Sequence, residues 1–394
     1  MKKTSHRTEL EIAVELGPDL EAANLDAETT CRVNSKAVSM MRDNGLFAMT
    51  VPAAYGGLES DALDSLKVIE ELAYWDSAVG WSAMIYSKTA HLGAAMPSHR
   101  AREIYNVSRN DHGFDCPITA GAAAPSGKGK KVDGGIRVTG RWSWGSGTDH
   151  ADWIAGGAFI EDNDDLVRLP SGQPALHLVF FPRNEVLLHN NWNPSGLRGT
   201  GSNDFEVNDV FVPDDRWMII GAPSNVIDAP LYRFPAFGYF AAAVASVPLG
   251  IARRAIDDFV AIETAKTMAS DGSKTKSSAI KQLELGHAEA LVAGARQALW
   301  STVAEIWFKT TADDQVTVHD RKLLRHAAVQ GTMQCTQAVD KLYNSAGGIS
   351  LQGDCSLQKH FRDIHAATQH RQVSSDFFRI AGGVRLDDEN SALL

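Results

Sequence analysis

The chain has 394 residues, 44% of them hydrophobic and 22% charged, and a formal net charge of −10 at pH 7. This composition is typical of a folded globular protein with room for two or three domains, and it excludes a disordered chain. The acidic balance argues against a nucleic-acid partner, because binding to phosphates requires clustered Lys and Arg. A dense basic run, GKGKK at 127–131, is interpreted as a solvated hairpin tip.

The spacing of the cysteines and the hydropathy of the chain indicate whether the protein binds a metal, forms disulfides or enters a membrane. The cysteines have no CxxC spacing, so we predict neither a metal site nor a disulfide framework. The first thirty residues are charged throughout and lack the apolar core of a signal peptide. No apolar run reaches the roughly 18 residues of a membrane span, and the stretch 234–252 is predicted to be a buried helix with the turn before it. We therefore expect a cytoplasmic protein with no membrane partner.

The hydrophobic period changes twice along the chain. Residues 1–112 predict helices, because apolar side chains recur there at intervals of three and four. Residues 113–222 show short alternating runs separated by Gly, Pro and Asn-Asp, which predicts an antiparallel β domain. The helical period returns in residues 223–394, most clearly at 277–309 and 319–345. Since no low-complexity linker separates them, the three parts are expected to pack into one body.

An unusual stretch, RWSWGSGTDHADW at 141–153, lies within the predicted β domain. Its three tryptophans surround a Gly-Ser-Gly, and such a segment suits a flat ligand, because glycines let the backbone approach closely. Two alternatives remain open. Trp142 is equally explained as a core or cross-strand residue of a sheet, and Ser146 as part of a simple turn.

Several motifs together carry a resemblance to the acyl-CoA dehydrogenase fold. They are GLRGTGSNDFEVNDVFVPDDRW at 196–217, the WGSGTDHADW of the stretch above, and the terminal FRDIHAATQH. The resemblance implies an α+β, mainly helical protein with an N-terminal helical domain (1–112), a central antiparallel β domain (113–222) and a C-terminal four-helix bundle (223–394). Within that superfamily the motifs look most like the two-component flavin-dependent monooxygenases (group D), which include 4-hydroxyphenylacetate and secosteroid hydroxylases and dibenzothiophene monooxygenase.

The resemblance implies an oxygenase component that uses reduced flavin and O2. Reduced FMN (FMNH2), with FAD as the second choice, would come from a separate NAD(P)H:flavin reductase. It would form a C4a-hydroperoxide that hydroxylates a small phenol- or indole-like substrate in a dry pocket. The alternatives are N- or S-oxygenation by the same chemistry, an FAD-dependent acyl-CoA dehydrogenase or oxidase, and a scaffold that binds no flavin.

The residues themselves argue against acyl-CoA dehydrogenation, which requires a glutamate base to remove the α-proton of a thioester. In the commonest arrangement of the family this glutamate follows the terminal Arg-Asp pair at a fixed interval, and counting from Arg362 that position is Arg371. The other arrangement places it early in the first C-terminal helix, and residues 230–256 contain no Asp or Glu. A cation cannot act as the base, so a monooxygenase is favoured.

The resemblance also assigns roles to residues by their position. It implies that Ser146 lies beside the flavin and steadies the hydroperoxide. It implies that His370, beside the vacant base position, takes a proton from the substrate or hydrogen-bonds the hydroperoxide. The implied catalytic residues are His370, Ser146 and His91. The implied flavin-binding residues are Trp81, Cys116, Trp142, Ser146, Gly147, Arg198 and Thr200, and Ser202 is a further hydrogen-bonding candidate.

Some of these residues also have a purely structural explanation, and the sequence departs from the family pattern at two positions. A lone histidine is more often structural, and GLRGTGSND is equally explained as a turn that orders the last strand. The second family histidine, counted from Trp81, falls on Thr89, and the nearest histidine is His91. A two-residue shift rotates a side chain by about 200° on a helix, so either residue can face the site. Ser374 replaces a family aspartate, which predicts a substrate other than the best-known phenols.

Apolar positions on more than one face of the C-terminal helices predict contacts with more than one neighbour. One face carries Ala295, Leu299 and Val303, and the adjacent face includes Ala298 and Ile306. Together with the resemblance, this pattern predicts a homotetramer with the flavin site close to a subunit boundary.

Overall fold

The computed structural model describes residues 7–111, 113–221, 226–267 and 275–386, and it begins with a layer of helices. A capping box between Thr8 and Glu11 starts the first helix by satisfying two free backbone N–H groups. The fifth helix is buried along almost its whole length and is the centre of this layer. The helices are α1 Glu9–Ala23, α2 Ala27–Thr30, α3 Ser35–Asp43, α4 Ala62–Trp75, α5 Ser77–His91 and α6 Ser98–Ile104.

The middle of the chain forms a large sheet and a small two-stranded sheet. The strands are β1 Ser108–Asn110, β2 Gly113–Asp115, β3 Thr119–Val132, β4 Gly135–Gly145, β5 Trp153–Asp162, β6 Asp165–Leu166, β7 Leu176–Pro182, β8 Leu187–Leu188, β9 Asn203–Pro213 and β10 Trp217–Ile219. The order in the large sheet is β10-β7-β5-β3-β4-β9-β8, with β6 paired to β5, while β1 pairs with β2.

The large sheet is mixed, which corrects the expectation of a purely antiparallel domain. β3 and β5 run parallel, whereas the other paired strands of the sheet are antiparallel. The reason is the path of the chain. β4 returns along one side of β3, and the turn at 146–152 then carries the chain to the other side of β3, so that β5 starts in the direction of β3.

The basic run at 127–131 lies at the end of β3. Lys130 and Lys131 are exposed and pair with Asp164 and Asp162 beside them. This is the solvated surface that the sequence predicted, with its tip at the turn into β4.

The C-terminal part is a bundle built from four helices, α8 to α11. The first of them is the core helix. Its most apolar 18-residue window is apolar enough to cross a membrane, but 78% of that window is buried inside the protein. The predicted segments 234–252, 277–309 and 319–345 correspond to α8, α9 and α10. The helices are α7 Pro230–Arg233, α8 Ala236–Ala265, α9 Ala279–Thr311, α10 Val318–Ala346, α11 Ser356–Ala367 and α12 Asp376–Arg385.

The three parts share one hydrophobic core. Helices α4 and α5 pack on α8, and α5 also contacts β3, so α5 lies where the three parts meet. Helical structure ends at Ile104 and strands begin at Ser108, slightly ahead of the boundary predicted at 112, and strands end at Ile219 before α7. Residues 112 and 222, at the predicted boundaries, lie outside the described residues.

Candidate active site

A chain of hydrogen-bonding side chains crosses from α5 to the segment before β9. Trp81 of α5 donates its indole N–H to Ser146 Oγ at 3.0 Å. Ser146, in the turn after β4, lies 2.7 Å from Ser202 Oγ, and Ser202 lies 2.6 Å from Thr200 Oγ1. All four side chains are buried. The structure thus brings together Trp81, Ser146 and Thr200, to which the resemblance assigned flavin binding.

The direction of this hydroxyl chain follows from its last bond. Thr200 donates to the Leu197 carbonyl at 2.9 Å, and a carbonyl can only accept. Ser202 must then donate to Thr200, and Ser146 to Ser202, because each hydroxyl has one hydrogen. Ser146 Oγ also accepts a hydrogen bond from the indole N–H of Trp81. Since its own hydrogen is used in the bond to Ser202, one lone pair of Ser146 Oγ remains free. In this arrangement Ser146 offers a ligand an acceptor and not a donor.

The turn that carries Ser146 depends on Gly147. Gly147 has φ +73°, and a Cβ there would lie 2.4 Å from a ring carbon of Tyr86. Its N–H donates to the Thr200 carbonyl at 2.9 Å, and its carbonyl accepts from the Tyr86 hydroxyl at 3.2 Å. A larger residue would push the turn away from α5. Gly147 therefore positions Ser146 through its backbone.

His370 completes the cluster from the C-terminal part. It follows α11 and begins a short 3₁₀ turn at 371–373. Its ring lies edge-on to Trp81, with centroids 5.7 Å apart, and edge-on to Phe240 of α8 at 5.3 Å. Trp81, Phe240 and His370 thus form an aromatic wall beside the Ser146 hydroxyl.

The imidazole of His370 is held as one neutral tautomer. Nδ1 accepts the backbone N–H of Gln372 at 3.2 Å, so this nitrogen carries no hydrogen. Burial, and after it the nearby Arg325 guanidinium, lower the pKa of His370 from 6.5 to about 4. The neutral ring therefore carries its hydrogen on Nε2. Of the two roles expected from the sequence, this geometry favours hydrogen-bond donation over proton removal.

The three tryptophans of the stretch 141–153 point in different directions. Trp142 is fully buried in the β domain, stacks on Phe205 with centroids 5.0 Å apart, and donates its N–H to the Gly157 carbonyl at 2.8 Å. Trp144 is 74% exposed, and Trp153 is partly buried. Trp142 is not brought to the cluster, and its burial favours the alternative that the sequence left open, a core residue of the sheet.

Cys116 and Arg198 are also held by protein contacts. The Cys116 thiol is buried, where desolvation raises its pKa to about 12. Arg198 donates to the carbonyls of Glu28 and Pro194 at 2.9 and 2.8 Å. It lines a cleft beside α1 and α11, whereas Thr200, two residues later, joins the hydroxyl chain. Neither Cys116 nor Arg198 joins the cluster, and their flavin-binding roles remain predictions.

His91 lies at the end of α5, beyond the cluster. Its Nε2 lies 3.1 Å from the Leu231 carbonyl, and its ring packs against Tyr239 with centroids 5.3 Å apart. Burial, and after it the charge of Lys88, lower the pKa of His91 to about 3. The Thr89 hydroxyl donates to a carbonyl one turn back in its own helix. The catalytic role of His91 remains a prediction.

Sequence reasoning did not single out Lys88, and it included Phe240 only within FPAFGYF at 234–240, a hydrophobic entry consistent with an aromatic substrate. Phe240 was part of an apolar run whose aromatic residues are equally typical of an ordinary core. Lys88 could have been noticed from the sequence, because SAVGWSAMIYSKTAH contains no other lysine, arginine or carboxylate, and a lysine is unusual in a helix buried on all sides.

Two family profiles match the helical parts of the chain. The acyl-CoA dehydrogenase N-terminal domain matches residues 13–97, and the acyl-CoA dehydrogenase C-terminal domain matches residues 242–375. The solved structure of 3-HSA hydroxylase from Rhodococcus sp. RHA1 is similar with a TM-score of 0.87, at 25% identity and over 97% of both chains. The chain therefore has the acyl-CoA dehydrogenase fold that its motifs predicted.

Curated relatives narrow the assignment to one branch of that fold. The chain is 31% identical over 365 residues to HsaA, the oxygenase subunit of a flavin-dependent monooxygenase from Rhodococcus jostii strain RHA1, covering 90% of this chain and 91% of the relative. It is 26% identical over 352 residues to indole-3-acetate monooxygenase from Pseudomonas putida, covering 89% and 87%. The chain belongs to the flavin-dependent monooxygenases of this fold and is the oxygenase component of such an enzyme.

The side chains of the cluster fit a flavin. An isoalloxazine ring is a wide apolar plane with a polar edge, so its site needs apolar walls and a few fixed hydrogen bonds. Trp81 and Phe240 supply apolar surface, and Ser146 supplies the hydrogen-bonding group. Reduced flavin carries a hydrogen on N5 and matches the free lone pair of Ser146, whereas N5 of oxidised flavin needs a donor.

The same cluster does not fit an acyl-CoA dehydrogenase. Within the described part of the chain, no carboxylate hydrogen-bonds to Trp81, Ser146 or His370. Arg371, at the position of the family glutamate, is exposed. The absence of a base at these side chains agrees with the sequence argument against dehydrogenation.

Proposed function

We propose that this enzyme hydroxylates a small phenol- or indole-like substrate with O2 and reduced flavin. The observation that carries the proposal is the aromatic wall of Trp81, Phe240 and His370 beside the Ser146 hydroxyl chain. Edge-on aromatic pairs contribute about 0.5–1.5 kcal/mol beyond burial of their area, so such a wall selects an aromatic ring. The names of relatives that act on indole-3-acetate and p-hydroxyphenylacetate support this substrate class.

Each residue of the cluster has a defined task in this proposal. Reduced flavin, when bound, supplies the electrons that send one atom of O2 to water and the other to the substrate. Ser146 orients the flavin edge through its free lone pair, and Trp81 and Phe240 exclude water. His370 donates its Nε2–H to the oxygen of a phenolic substrate and so fixes the ring that is attacked.

We infer that FMNH2 is the preferred flavin, with FAD as the alternative, and that a separate NAD(P)H:flavin reductase supplies it. The name of the HsaA relative, an oxygenase subunit, supports a second component. Solved proteins of this fold hold FADH2 in one case and FMN with indole in another, so both flavins belong in the test. A homotetramer in the cytoplasm completes the proposal.

Reconstitution with a reductase tests the proposed reaction. The purified protein is given FMNH2 or FADH2, O2 and a panel of phenols and indoles, and both hydroxylated product and hydrogen peroxide are measured. We expect hydroxylated product, with less peroxide from FMNH2 than from FADH2. Ser146→Ala should raise the peroxide fraction, because loss of a buried hydrogen bond costs about 1–3 kcal/mol, roughly a 5- to 150-fold effect. Ser301→Ala, exposed on α9, is the control.

Other outcomes would replace the proposal. Anaerobic reduction of bound flavin by an acyl-CoA would show a dehydrogenase. Oxygenation of amines or thioethers, without hydroxylation of any phenol or indole, would keep the monooxygenase and overturn the hydroxylase.

A further inference from the structure

Lys88 is a charged side chain buried in the seam between α5 and α8. It is 6% exposed, and its Nζ has no hydrogen-bond partner among the described residues. Nζ lies over the ring of Tyr239, 2.8 Å from the ring centroid. An ammonium group has three N–H donors, and one ring face engages only part of them. Lys88 therefore holds hydrogen-bonding capacity that the folded chain does not use.

Two other partly buried lysines of the chain, Lys281 and Lys359, have carboxylate partners. Lys281 Nζ donates to Glu263 at 2.7 Å, and Lys359 Nζ donates to Asp363 at 2.9 Å. Both side chains are more exposed than Lys88, yet each has a carboxylate partner. A buried charge is costly unless it is paired, and burial lowers the pKa of Lys88 well below its ordinary value. Lys88 therefore differs from both of these lysines, because no carboxylate lies beside it among the described residues.

Lys88 and the aromatic wall lie in one seam. Seven residues separate Trp81 from Lys88, which on a helix leaves them within about 20° of the same face and about 10 Å apart along the axis. Tyr239 and Phe240 are consecutive on α8. Tyr239 covers Lys88, and Phe240 contacts His370.

The groups around Nζ supply no negative charge. The Tyr239 hydroxyl is hydrogen-bonded to Ser65, and burial raises its pKa, so it stays neutral. His91, whose ring also contacts Tyr239, is bonded to the Leu231 carbonyl and has a lowered pKa. Among the described residues, no negatively charged group therefore lies against Lys88 Nζ.

We propose that Lys88 binds the carboxylate of the substrate, which is an aromatic acid whose ring packs against Trp81 and His370. This inference rests on the proposed function and narrows its substrate class to rings with a short acidic side chain. Nζ donates to the carboxylate oxygens, and the charge-assisted bonds form in a site closed to water. Lys88 thereby sets which aromatic compounds bind and how the ring is placed beside Ser146.

Equilibrium binding tests Lys88 separately from turnover. Calorimetry on the full chain, with and without anaerobic FMNH2, compares 4-hydroxyphenylacetate and indole-3-acetate with their amides, which keep the ring and lose the charge. We expect the acids to bind roughly 10- to 150-fold more tightly than the amides, as for a hydrogen bond to a charged group. In Lys88→Met this preference should fall to about 3-fold or less, while amide binding stays within about 3-fold of wild type. Lys88→Arg should retain part of the preference.

A matched control and the contrary results make the test decisive. Lys67→Met changes a partly exposed lysine of α4 that pairs with Asp64, removes the same charge and should leave the acid preference unchanged. Equal binding of acids and amides by the wild type would overturn the proposal, as would an intact preference in Lys88→Met. If Lys88→Met does not fold, the wild-type comparison and Lys88→Arg still decide. Tight acid binding without any hydroxylation would overturn the proposed function and leave Lys88 as an anion site.

Discussion

At the scale of single residues, neighbouring groups set the positions of the hydrogen atoms on Ser146 and His370. The Thr200 bond to the Leu197 carbonyl fixes the donor direction through Ser202 to Ser146. The Gln372 N–H fixes which nitrogen of His370 carries the hydrogen. The two side chains therefore offer a ligand one hydrogen-bond acceptor, on Ser146 Oγ, and one hydrogen-bond donor, on His370 Nε2. That pair predicts a preference for reduced flavin and for a substrate that can accept a hydrogen bond.

Thr200→Val tests the direction of the hydroxyl chain. The change keeps the side-chain shape but removes the anchor, so Ser202 and Ser146 become free to donate the other way. We expect binding of oxidised FMN to strengthen relative to FMNH2 by about 2- to 10-fold, the effect of one neutral hydrogen bond of about 0.5–1.5 kcal/mol. Fluorescence titrations of both redox forms measure the ratio. Thr302→Val, on α9, should not alter it, and an unchanged ratio in Thr200→Val would refute the fixed direction.

His370 should act without titrating near neutral pH. Its pKa of about 4 lies below the ordinary value of 6.5, so the ring is neutral in the folded enzyme at higher pH and gains a proton only as pH falls toward 4. We expect kcat/KM to show no inflection near pH 6.5 that depends on His370. His370→Ala should lower hydroxylation by roughly 5- to 150-fold, the loss of one buried donor.

Rate profiles over about pH 5.5 to 8 check this expectation. His365→Ala removes a more exposed histidine paired with Asp340 and serves as the control. An inflection near pH 6.5 that disappears in His370→Ala would show that the histidine works as a base.

At the scale of elements, Asp363 of the terminal Arg-Asp motif joins three segments of the chain. Asp363 of α11 is fully buried and accepts hydrogen bonds from the Leu197 N–H at 2.6 Å, from Ser77 at the start of α5, and from Lys359 at 2.9 Å. Burial alone would raise the pKa of Asp363, but Lys359 and these donors lower it. One carboxylate thus joins the loop before Thr200 to the helix that carries Trp81.

Asp363→Asn should loosen both elements. It removes the charge that pairs with Lys359, and breaking a buried ion pair costs about 3 kcal/mol. We expect a lower urea midpoint together with weaker FMNH2 binding, measured by fluorescence on the same preparation. Asp164→Asn, which breaks an exposed pair with Lys130, should cost less than about 1 kcal/mol. Unchanged stability in Asp363→Asn would show that the contacts of the Asp363 carboxylate are not needed to hold these segments together.

At the scale of the molecule, α9 divides its apolar residues between the inside and the surface. Leu299 and Val303 are buried against the bundle, as their spacing predicted. Ile306, which the sequence placed on the adjacent face, is also buried within the chain, so it supplies no second surface. Ile280, Leu283 and Phe308 are 71%, 56% and 70% exposed, and they recur at helical spacing along an outer face. A helix that is apolar on two sides is expected to pack against a second copy.

The predicted homotetramer should depend on this outer face. Ile280→Glu combined with Phe308→Glu places charges where another subunit would pack, so we expect light scattering to show dimers or monomers with an unchanged circular dichroism spectrum. Leu25→Glu, 80% exposed between α1 and α2, is the control and should remain tetrameric. A wild-type chain that is a stable monomer and still binds FMNH2 would contradict the assembly.

The sequence by itself determined the fold, and it singled out Trp81, Ser146, Thr200 and His370 among the residues of the cluster. Helical and alternating periods located α8, α9, α10 and the β domain, because side-chain direction repeats locally along a helix or strand. Motifs singled out Ser146 and His370, because each residue lies at a fixed position within a short motif, WGSGTDHADW and FRDIHAATQH. The exclusion of a glutamate base likewise needed only the identity of residue 371 and of the first turns of α8.

Tertiary structure decided how those residues are oriented and what surrounds them. The chain path made β5 parallel to β3, and packing in the sheet took Trp142 inward while Trp81 reached Ser146. The tautomer of His370 and the missing partner of Lys88 depend on groups from other elements. Hydrogen-bond direction and charge compensation are properties of contacts between distant segments, so they became visible only when α5, the sheet and α8 were placed together.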